Sequence, residues 1–233
     1  DTYQDFVITM TADYAPSTLD GQVQLFLGNG DGTFQATGFP QVGLIVGDAG
    51  TDVISVAAAA VDNDGYIDIV AGDITASDNG MADVTLFRNN GGNPPTWTTS
   101  TIISSSGVIL PEQPPYYPPS AYLHGFGLAF GDLDGDGDQD LLVSDKASYV
   151  YLYRNNGSGS FAPIRYNTIS TGTRPYALMR AHEIFTSKLS LACGDVNGDG
   201  LIDFVAGGAD GTWEGKVDLW LNTGNDSNGW PRF

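Results

Sequence analysis

Aspartate residues alternate along one short stretch of the chain in a pattern that suits the binding of a hard metal ion. They fill positions one, three, five and nine of a nine-residue loop, as Asp132, Asp134, Asp136 and Asp140. Position seven, Asp138, is expected to offer its backbone carbonyl, and glycines at positions four and six permit a tight curve. Calcium takes about six to eight oxygen ligands in a tolerant geometry. The loop therefore predicts a calcium site.

A second loop repeats this plan. Its predicted ligands are the side chains of Asp195, Asn197, Asp199 and Asp203 and the backbone carbonyl of Leu201. Two carboxylates about 4 Å apart repel each other by roughly 4 kcal/mol at an effective dielectric constant near 20. Much of the formal net charge of -19 is therefore expected to be present only in the metal-free chain, because bound calcium ions would neutralise it.

A third copy, residues 60 to 68, departs from the plan at two positions. Ala60 stands where the first carboxylate should be, and Asn63 replaces a glycine. We expect a weaker calcium site here, completed by water or a neighbouring oxygen. Its remaining predicted ligands are the side chains of Asp62, Asp64 and Asp68 and the carbonyl of Tyr66.

A fourth aspartate, Asp5, begins a similar apolar run and corresponds to position nine of another loop. The first eight positions of that loop are expected to lie outside this sequence, so Asp5 is predicted to bind no metal.

Two other calcium folds use similar loops, and both are unlike this chain. An EF-hand needs a bidentate Glu at position twelve and flanking helices. The sequence instead continues as LLVS after Asp140 and as FVAG after Asp203. Dockerin modules pair two such loops with helices, and no helical periodicity appears here.

The acidic loops belong to a longer repeat. The anchor aspartates Asp5, Asp68, Asp140 and Asp203 are 63, 72 and 63 residues apart. About twenty residues after each anchor, an apolar strand ends in a glycine turn, and an aromatic residue then restarts an extended segment. Each full unit thus predicts four strands, with the acidic loop joining the first two. The fold class is all-β, a β-propeller of four-stranded antiparallel blades.

The whole chain, residues 1–233, is predicted to be one propeller-like domain with three full blades and one partial N-terminal blade that lacks its innermost strand. The partial blade spans residues 1–40, and the full blades span residues 41–110, 120–172 and 173–233. The proline-rich stretch from Pro111 to Pro119 accounts for the longer spacing. It is interpreted as a stiff excursion between blades; a proline-rich ligand, or a binding lip built on Tyr116 and Tyr117, is the alternative.

Composition excludes several classes of protein. With 9 Lys plus Arg against 28 Asp plus Glu, the chain would repel nucleic acid. Its single cysteine, Cys193, excludes an internal disulfide and is expected to be a buried small hydrophobe. No apolar run is long enough to span a membrane. The chain begins at Asp1, not at Met, which predicts a processed or excised product.

These features resemble the FG-GAP/VCBS repeats of integrin-α-like β-propellers. The resemblance rests on three copies of the D-x-[DN]-x-D-G-x-x-D loop, on Gly125-Phe126-Gly127 before Gly131-Asp132, and on the glycine turns followed by an aromatic residue. It implies a calcium-binding propeller. Such repeats occur in integrin heads, lectins, surface adhesins and accessory domains of polysaccharide lyases, so the resemblance alone does not decide the activity.

Three functions follow as hypotheses. The first is a non-catalytic, secreted or cell-surface scaffold for adhesion, assembly or recognition of a glycan or protein, with structural calcium and with possible self-assembly through the incomplete blade. The second is a polysaccharide lyase or hydrolase, whose candidate residues form no recognisable catalytic set: His124, His182, Glu183, Arg174, Arg180, Glu214 and Asp218. The third is a lectin that stacks sugars on aromatic residues: Tyr116, Tyr117, Trp97, Trp213 and Trp230.

Overall fold

The computed structural model of the chain consists of short strands joined by turns, as the sequence predicts. It describes residues 3–10, 22–35, 43–45, 51–75, 83–92, 95–103, 127–144, 149–164, 177–180, 190–209 and 215–233. In chain order the strands are β1 Phe6–Met10, β2 Gln22–Gly28, β3 Phe34–Gln35, β4 Gly43–Ile45, β5 Thr51–Ala59, β6 Asp68–Thr75, β7 Val84–Asn89, β8 Trp97–Ile103, β9 Gly127–Gly131, β10 Asp140–Ser144, β11 Tyr149–Asn155, β12 Phe161–Pro163, β13 Ala177–Arg180, β14 Ser190–Gly194, β15 Asp203–Ala209 and β16 Gly215–Trp220.

The strands form four antiparallel sheets, which we call blades 1 to 4. Blade 2 is the meander β5-β6-β7-β8, and blade 3 is β9-β10-β11-β12 with β13 also paired to β11. Blade 1 contains β1-β2-β3, with β4 paired to β2. Blade 4 contains β14-β15-β16, and the only further pairing among its described residues is a bridge between Asn225 and Pro231. The all-β fold of antiparallel blades is confirmed; blades 2 and 3 contain the predicted four-strand meander, and blade 4 shows three strands among its described residues.

The innermost strands lie side by side. Strand β5 lies beside β9, and β9 lies beside β14. Strand β1 lies beside β5 in the same way, although it corresponds in sequence to the second strand of the other units. No described strand pairs with the free edge of β1. In blade 1 the innermost strand is therefore β1, which corresponds to the second strand of the other blades.

Each anchor aspartate ties its acidic loop to its own sheet. In blade 3, Asp140 is fully buried; one carboxylate oxygen accepts the N–H of Leu133 in the loop and the other accepts that of Asn155 at the end of β11. Equivalent bonds are made by Asp68 and by Asp203. The closing aspartate of each loop is thus a structural residue as well as a candidate ligand.

The core lies between neighbouring blades. The second loop residue fills each internal junction: Val61 of blade 2 packs against blade 3, and Leu133 of blade 3 packs against blade 4, each 1% exposed. The following blade also clamps the loop backbone, because Asn155 Nδ2 donates to Val61 O and Asn222 Nδ2 donates to Leu133 O, both at 2.8 Å. A loop is therefore shaped by the next blade along the chain.

Several sequence-predicted features lie outside the described residues. They are the stretch from Pro111 to Pro119 and the residues His124, Arg174, His182, Glu183, Trp213 and Glu214. Cys193 is half-buried in the core between blades 3 and 4, and burial raises the pKa of its thiol to about 12. No helix long and apolar enough to cross a membrane occurs within the part of the chain that the structure describes.

Candidate metal centre

Three carboxylates converge in the loop between β9 and β10. Oxygens of Asp132, Asp134 and Asp136 all lie within 4.8 Å of one another. Asp134 is buried, Asp132 is half-buried and Asp136 is exposed, so the cluster has a sheltered side and an open side. This cluster of three aspartates can bind a metal ion. The structure thus brings together positions one, three and five of the predicted site.

Two oxygens of this cluster lack the hydrogen bonds that burial normally requires. Asp132 Oδ1 is buried without a hydrogen-bond partner, whereas Asp132 Oδ2 accepts the N–H of Gly137 at 3.0 Å. Asp134 Oδ2 is likewise buried without a hydrogen bond. An unpaired buried carboxylate oxygen is costly, and a cation is the partner that would satisfy it. The donor set therefore fits a hard divalent ion such as calcium.

Arg154 at the end of β11 partly neutralises the cluster. Its Nε lies 2.6 Å from Asp134 Oδ2, and its Nη2 donates to Asp136 Oδ2 at 2.8 Å. The Nε contact is an ion pair, so Asp134 Oδ2 has a cationic partner although it accepts no hydrogen bond, whereas buried Asp132 Oδ1 accepts none either. Arg154 is itself about half-exposed, so solvent screens the attraction.

The ionisation of these carboxylates follows from burial and from this cation. Burial raises the pKa of Asp134, and the Arg154 charge only partly opposes it. For Asp136, the cost of desolvation is outweighed by hydrogen bonds from the Asp138 N–H and from Arg154, and the net effect lowers the pKa. Burial raises the pKa of Asp140 to about 7, against the two backbone N–H groups that favour its charged form. Without a metal ion, the buried side of the loop thus resists full ionisation.

The remaining predicted ligands of this loop lie outside the cluster of three. Both carboxylate oxygens of Asp140 accept backbone N–H groups, as described above. The Asp138 carboxylate faces blade 2 and accepts Asn63 Nδ2 at 3.1 Å. The sequence predicts that Asp138, at position seven, binds the metal through its backbone carbonyl. The contact with Asn63 uses only the Asp138 side chain.

Blade 4 holds the sheltered side of the loop in place. Besides the bond from Asn222 to Leu133 O, Asn225 Nδ2 donates to Asp134 O at 2.6 Å. Sequence reasoning missed Asn222, Asn225 and Arg154 as parts of this centre. The repeated Asn at the end of the third strand was a signal, but only the packing of one blade on the next shows which loop it serves.

The loop from Asp195 to Asp203 has the same ligand plan but a different arrangement. Both carboxylate oxygens of Asp195 accept hydrogen bonds from the backbone. Oδ1 accepts the N–H groups of Gly198 and Asp199, and Oδ2 accepts the N–H group of Gly200. The side-chain amide of Asn197 donates to Asp199 Oδ2 at 2.8 Å. These residues are exposed, and no group of three close carboxylates forms here within the described chain. Because position three is Asn197, this loop offers two carboxylates at positions one, three and five where the first loop offers three, and the predicted site stays a prediction.

The loop of residues 60 to 68 shows what its two departures change. Asn63 adopts φ +60°, the left-handed conformation that glycine takes at the same position in the other loops. The missing glycine therefore does not alter the turn. Asp62 and Asp64 bond to backbone N–H groups of their own loop, and with Asp68 they form no three-carboxylate cluster within the described residues. The absence of a carboxylate at Ala60 is the departure that matters.

The N-terminus contains more of a fourth loop than the sequence analysis expected. The Tyr3 ring covers the turn at Gly30 so closely that a side chain there would collide with it, as the Tyr66 ring covers Gly91. Tyr3 thus occupies position seven, and the sequence DTYQD of residues 1–5 aligns with DGYID of residues 64–68. The prediction that the first eight positions lie outside the sequence was wrong, because residues 1–4 are positions five to eight.

A groove of about 590 Å³ lies between blades 1 and 2 beside this half-loop. It is lined by Asp5, Ile69, Asn89 and Trp97 among others, and the buried Trp97 Nε1 has no hydrogen-bond partner. The residue that fills the other internal junctions, Val61 or Leu133, has no described counterpart here. Asp5 accepts the N–H of Gly28 at 2.8 Å, so it anchors β2 as the other closing aspartates anchor their strands.

The fold and the acidic loops together define a β-propeller-type repeat protein. The family model of the FG-GAP-like repeat matches the chain over residues 1–71, 61–143 and 132–181, and the chain belongs to this family. The second and third matches each begin at an acidic loop, so the loop marks the period in the family model as it does in the structure. A search of curated proteins finds no match.

Proposed function

We propose that this protein is a secreted or cell-surface β-propeller scaffold stabilised by calcium, which presents its blades for adhesion or for recognition of a glycan or protein. The observation that carries the calcium proposal is the convergence of Asp132, Asp134 and Asp136 around buried oxygens without hydrogen bonds. A divalent ion would coordinate Asp132 Oδ1, which has no hydrogen-bond partner, and would neutralise the charge that Arg154 leaves uncompensated on the three carboxylates.

In this proposal the ion is structural. Asp132, Asp134, Asp136 and the carbonyl of Asp138 hold it, and the closing Asp140 keeps the loop attached to the sheet. Because the unfolded chain does not gather these groups, the free energy of metal binding adds to the free energy of folding. The loops at residues 195 to 203 and 60 to 68 bind more weakly, since Asn197 and Ala60 leave each of them with two carboxylates at positions one, three and five.

The expected affinity supports an extracellular location. Extracellular calcium modules bind with dissociation constants on the order of 0.1 to 1 mM. Exposed loops of this kind, open to solvent on one side, suit that range. The excess of acidic residues also favours partners other than nucleic acid.

We propose no catalytic role. Arg180 lies in β13 and Asp218 in β16, and the other catalytic candidates lie outside the described residues, so no observation supports a catalytic set. The aromatic residues offered for a lectin also have structural roles, since Trp97 packs in the core between blades 1 and 2 and Trp230 in the core between blades 3 and 4. A glycan array and a depolymerisation assay on acidic polysaccharides test these two alternatives.

The experiment for calcium is a calorimetric titration of metal-free protein, followed by thermal unfolding with calcium and with EDTA. Chelation should lower the melting temperature by many degrees. Asp132→Asn should weaken the tightest site and reduce this difference. Asp138→Asn is the matched control, because it removes one charge from the same loop but keeps the carbonyl ligand and an oxygen for Asn63. An equal loss in both variants would mean that only net charge matters, and an unchanged melt in EDTA would remove structural calcium altogether.

A further inference from the structure

Most of the large exposed apolar side chains among the described residues lie on the two terminal blades; Tyr66 and Ile67 of blade 2 are exceptions. On blade 1 they are Phe6, Ile8 and Phe34, which together with Phe26 we call the blade-1 face. On blade 4 they are Val196, Val217, Leu219 and Leu221, which together with Val205 we call the blade-4 face. Contiguous exposed apolar surface of this kind marks an interaction site.

The blade-1 face corresponds to the surface that each of blades 2 to 4 buries against the blade before it. The first residue after each anchor aspartate pairs with an aromatic residue in the third strand, in the same register in all four blades: Phe6 with Phe26, Ile69 with Phe87, Leu141 with Tyr153, and Phe204 with Trp220. In blades 2 to 4 this pair packs against the preceding blade. Ile69 is 2% exposed and Leu141 is 0% exposed, whereas Phe6 is 39% exposed.

The blade-4 face corresponds to the surface that blades 2 and 3 bury against the blade after them. The next pair in each blade packs against the following blade: Val70 with Leu86 in blade 2, Leu142 with Leu152 in blade 3, and Val205 with Leu219 in blade 4. Leu86 and Leu152 are fully buried, but Leu219 is 48% exposed. At the second loop position, Val61 and Leu133 are 1% exposed and Val196 is 58% exposed.

We propose that two copies of this chain associate head to tail, with the blade-4 face of one copy on the blade-1 face of the other. One chain carries both halves of a junction that it already forms between blades 2 and 3 and between blades 3 and 4. The contact is heterologous, since pairing a face with its own copy would not reproduce that junction.

Two features make this contact weaker than the internal junctions. Gly28 stands where Asn155 and Asn222 stand in blades 3 and 4, so Val196 O would receive no side-chain amide. Each copy also carries a net charge of -19, so association should strengthen as added salt screens the repulsion. The proposal does not rest on calcium binding, because strands form most of both faces.

Sedimentation velocity over a concentration series tests the proposal. The wild-type chain should show a mass that rises above that of one copy. Val217→Lys should abolish the rise through the blade-4 face, and Ile8→Lys should abolish it through the blade-1 face. Ile67→Lys is the matched control, because Ile67 is 55% exposed but lies on neither face. Each variant lowers the net negative charge, so a loss of association cannot come from added repulsion between copies.

Mixing the variants distinguishes this arrangement from others. A mixture of Val217→Lys and Ile8→Lys still contains one intact blade-4 face and one intact blade-1 face. It should therefore form a complex of two copies, although each variant alone is monomeric. A wild-type chain that stays monomeric at its highest soluble concentration would overturn the proposal, as would association of either variant alone or loss of association in Ile67→Lys. Unchanged melting temperatures show that the variants are folded.

Discussion

The loops at residues 132 to 140 and 195 to 203 have nearly the same sequence but different surroundings. The first is covered by blade 4, which buries Leu133 and holds the carbonyls of Leu133 and Asp134. The second is covered by no described blade; Val196 is exposed, and Asp195 accepts three backbone N–H groups of its own loop where Asp132 accepts one. The following blade thus covers the first loop and not the second, and position three is Asp134 in one and Asn197 in the other, so packing and sequence both separate the two loops.

The largest expected effect separates the two loops directly. Asp134→Ala removes a buried charged ligand and should weaken calcium binding at the first loop on the order of 100-fold, equivalent to ~2.8 kcal/mol. Asn197→Ala removes the neutral ligand at the same position of the second loop and should weaken that site by ~10-fold. Calorimetric titration of both variants measures the two losses. Equal losses would mean that the loops are already alike before calcium binds.

A second test uses the pH dependence of stability. The folded pKa of Asp140, about 7, lies above its unfolded value of 3.8, so the native metal-free chain holds the extra proton between these values. Its unfolding free energy should therefore fall as pH rises from about 4 to 8, by on the order of 2 kcal/mol. With calcium bound the trend should reverse, because the ligands must be deprotonated. Urea unfolding at pH 5 and pH 8, with EDTA or calcium, measures both slopes.

Asp140→Asn provides the control for that test. It keeps the shape of the side chain but cannot titrate, so the slope in EDTA should flatten. If the slope persists in this variant, another group causes it.

The hydrogen bond from Asn222 of blade 4 to the Leu133 carbonyl of blade 3 predicts a smaller effect. Asn222→Ala should cost about 1.5 kcal/mol of unfolding free energy, because Leu133 O would lose its buried donor. It should also weaken calcium binding at the first loop and leave the second unchanged. Asn89→Ala is the matched control, since its Nδ2 donates to Ile67 O at 3.3 Å and its Oδ1 accepts the N–H of Gly91, both bonds being within its own blade. Urea unfolding compares the two variants, and equal costs would contradict a role for this hydrogen bond between blades.

The smallest predicted effect concerns Arg154. Calcium must compete with its guanidinium for Asp134 and Asp136, so replacing it with leucine, the residue that blade 4 has at position 221, should tighten binding. The pair is partly exposed, so the gain should be ~3-fold at low salt and should shrink as salt rises. Calorimetry at two salt concentrations checks this. Weaker binding in Arg154→Leu would instead show that Arg154 helps to arrange the loop.

The strands and turns that recur in each unit could be predicted from the sequence. Strands β9, β10, β11 and β12 lie where the apolar runs predicted them, because alternating apolar residues and glycine turns act over a few neighbouring residues. The sequence was a poorer guide to residues 1–5, where only the stacking of Tyr3 on Gly30 showed how much of a fourth loop is present. Asn63 also adopts the turn expected of glycine, which composition alone did not predict.

By itself the sequence determined the repeat, the all-β fold and the three carboxylates that the first loop brings together. Those features depend on spacing and on local turn chemistry, which a linear pattern contains. Tertiary structure decided that blade 4 covers the first loop and leaves the second open, that Asn222 bonds the first loop, and that both terminal blades expose an apolar face. Each of these depends on which blade packs against which, a long-range contact that the spacing of residues within one unit does not specify. The contact of Arg154 with the first loop lies within blade 3, but it too depends on how β11 packs beside that loop.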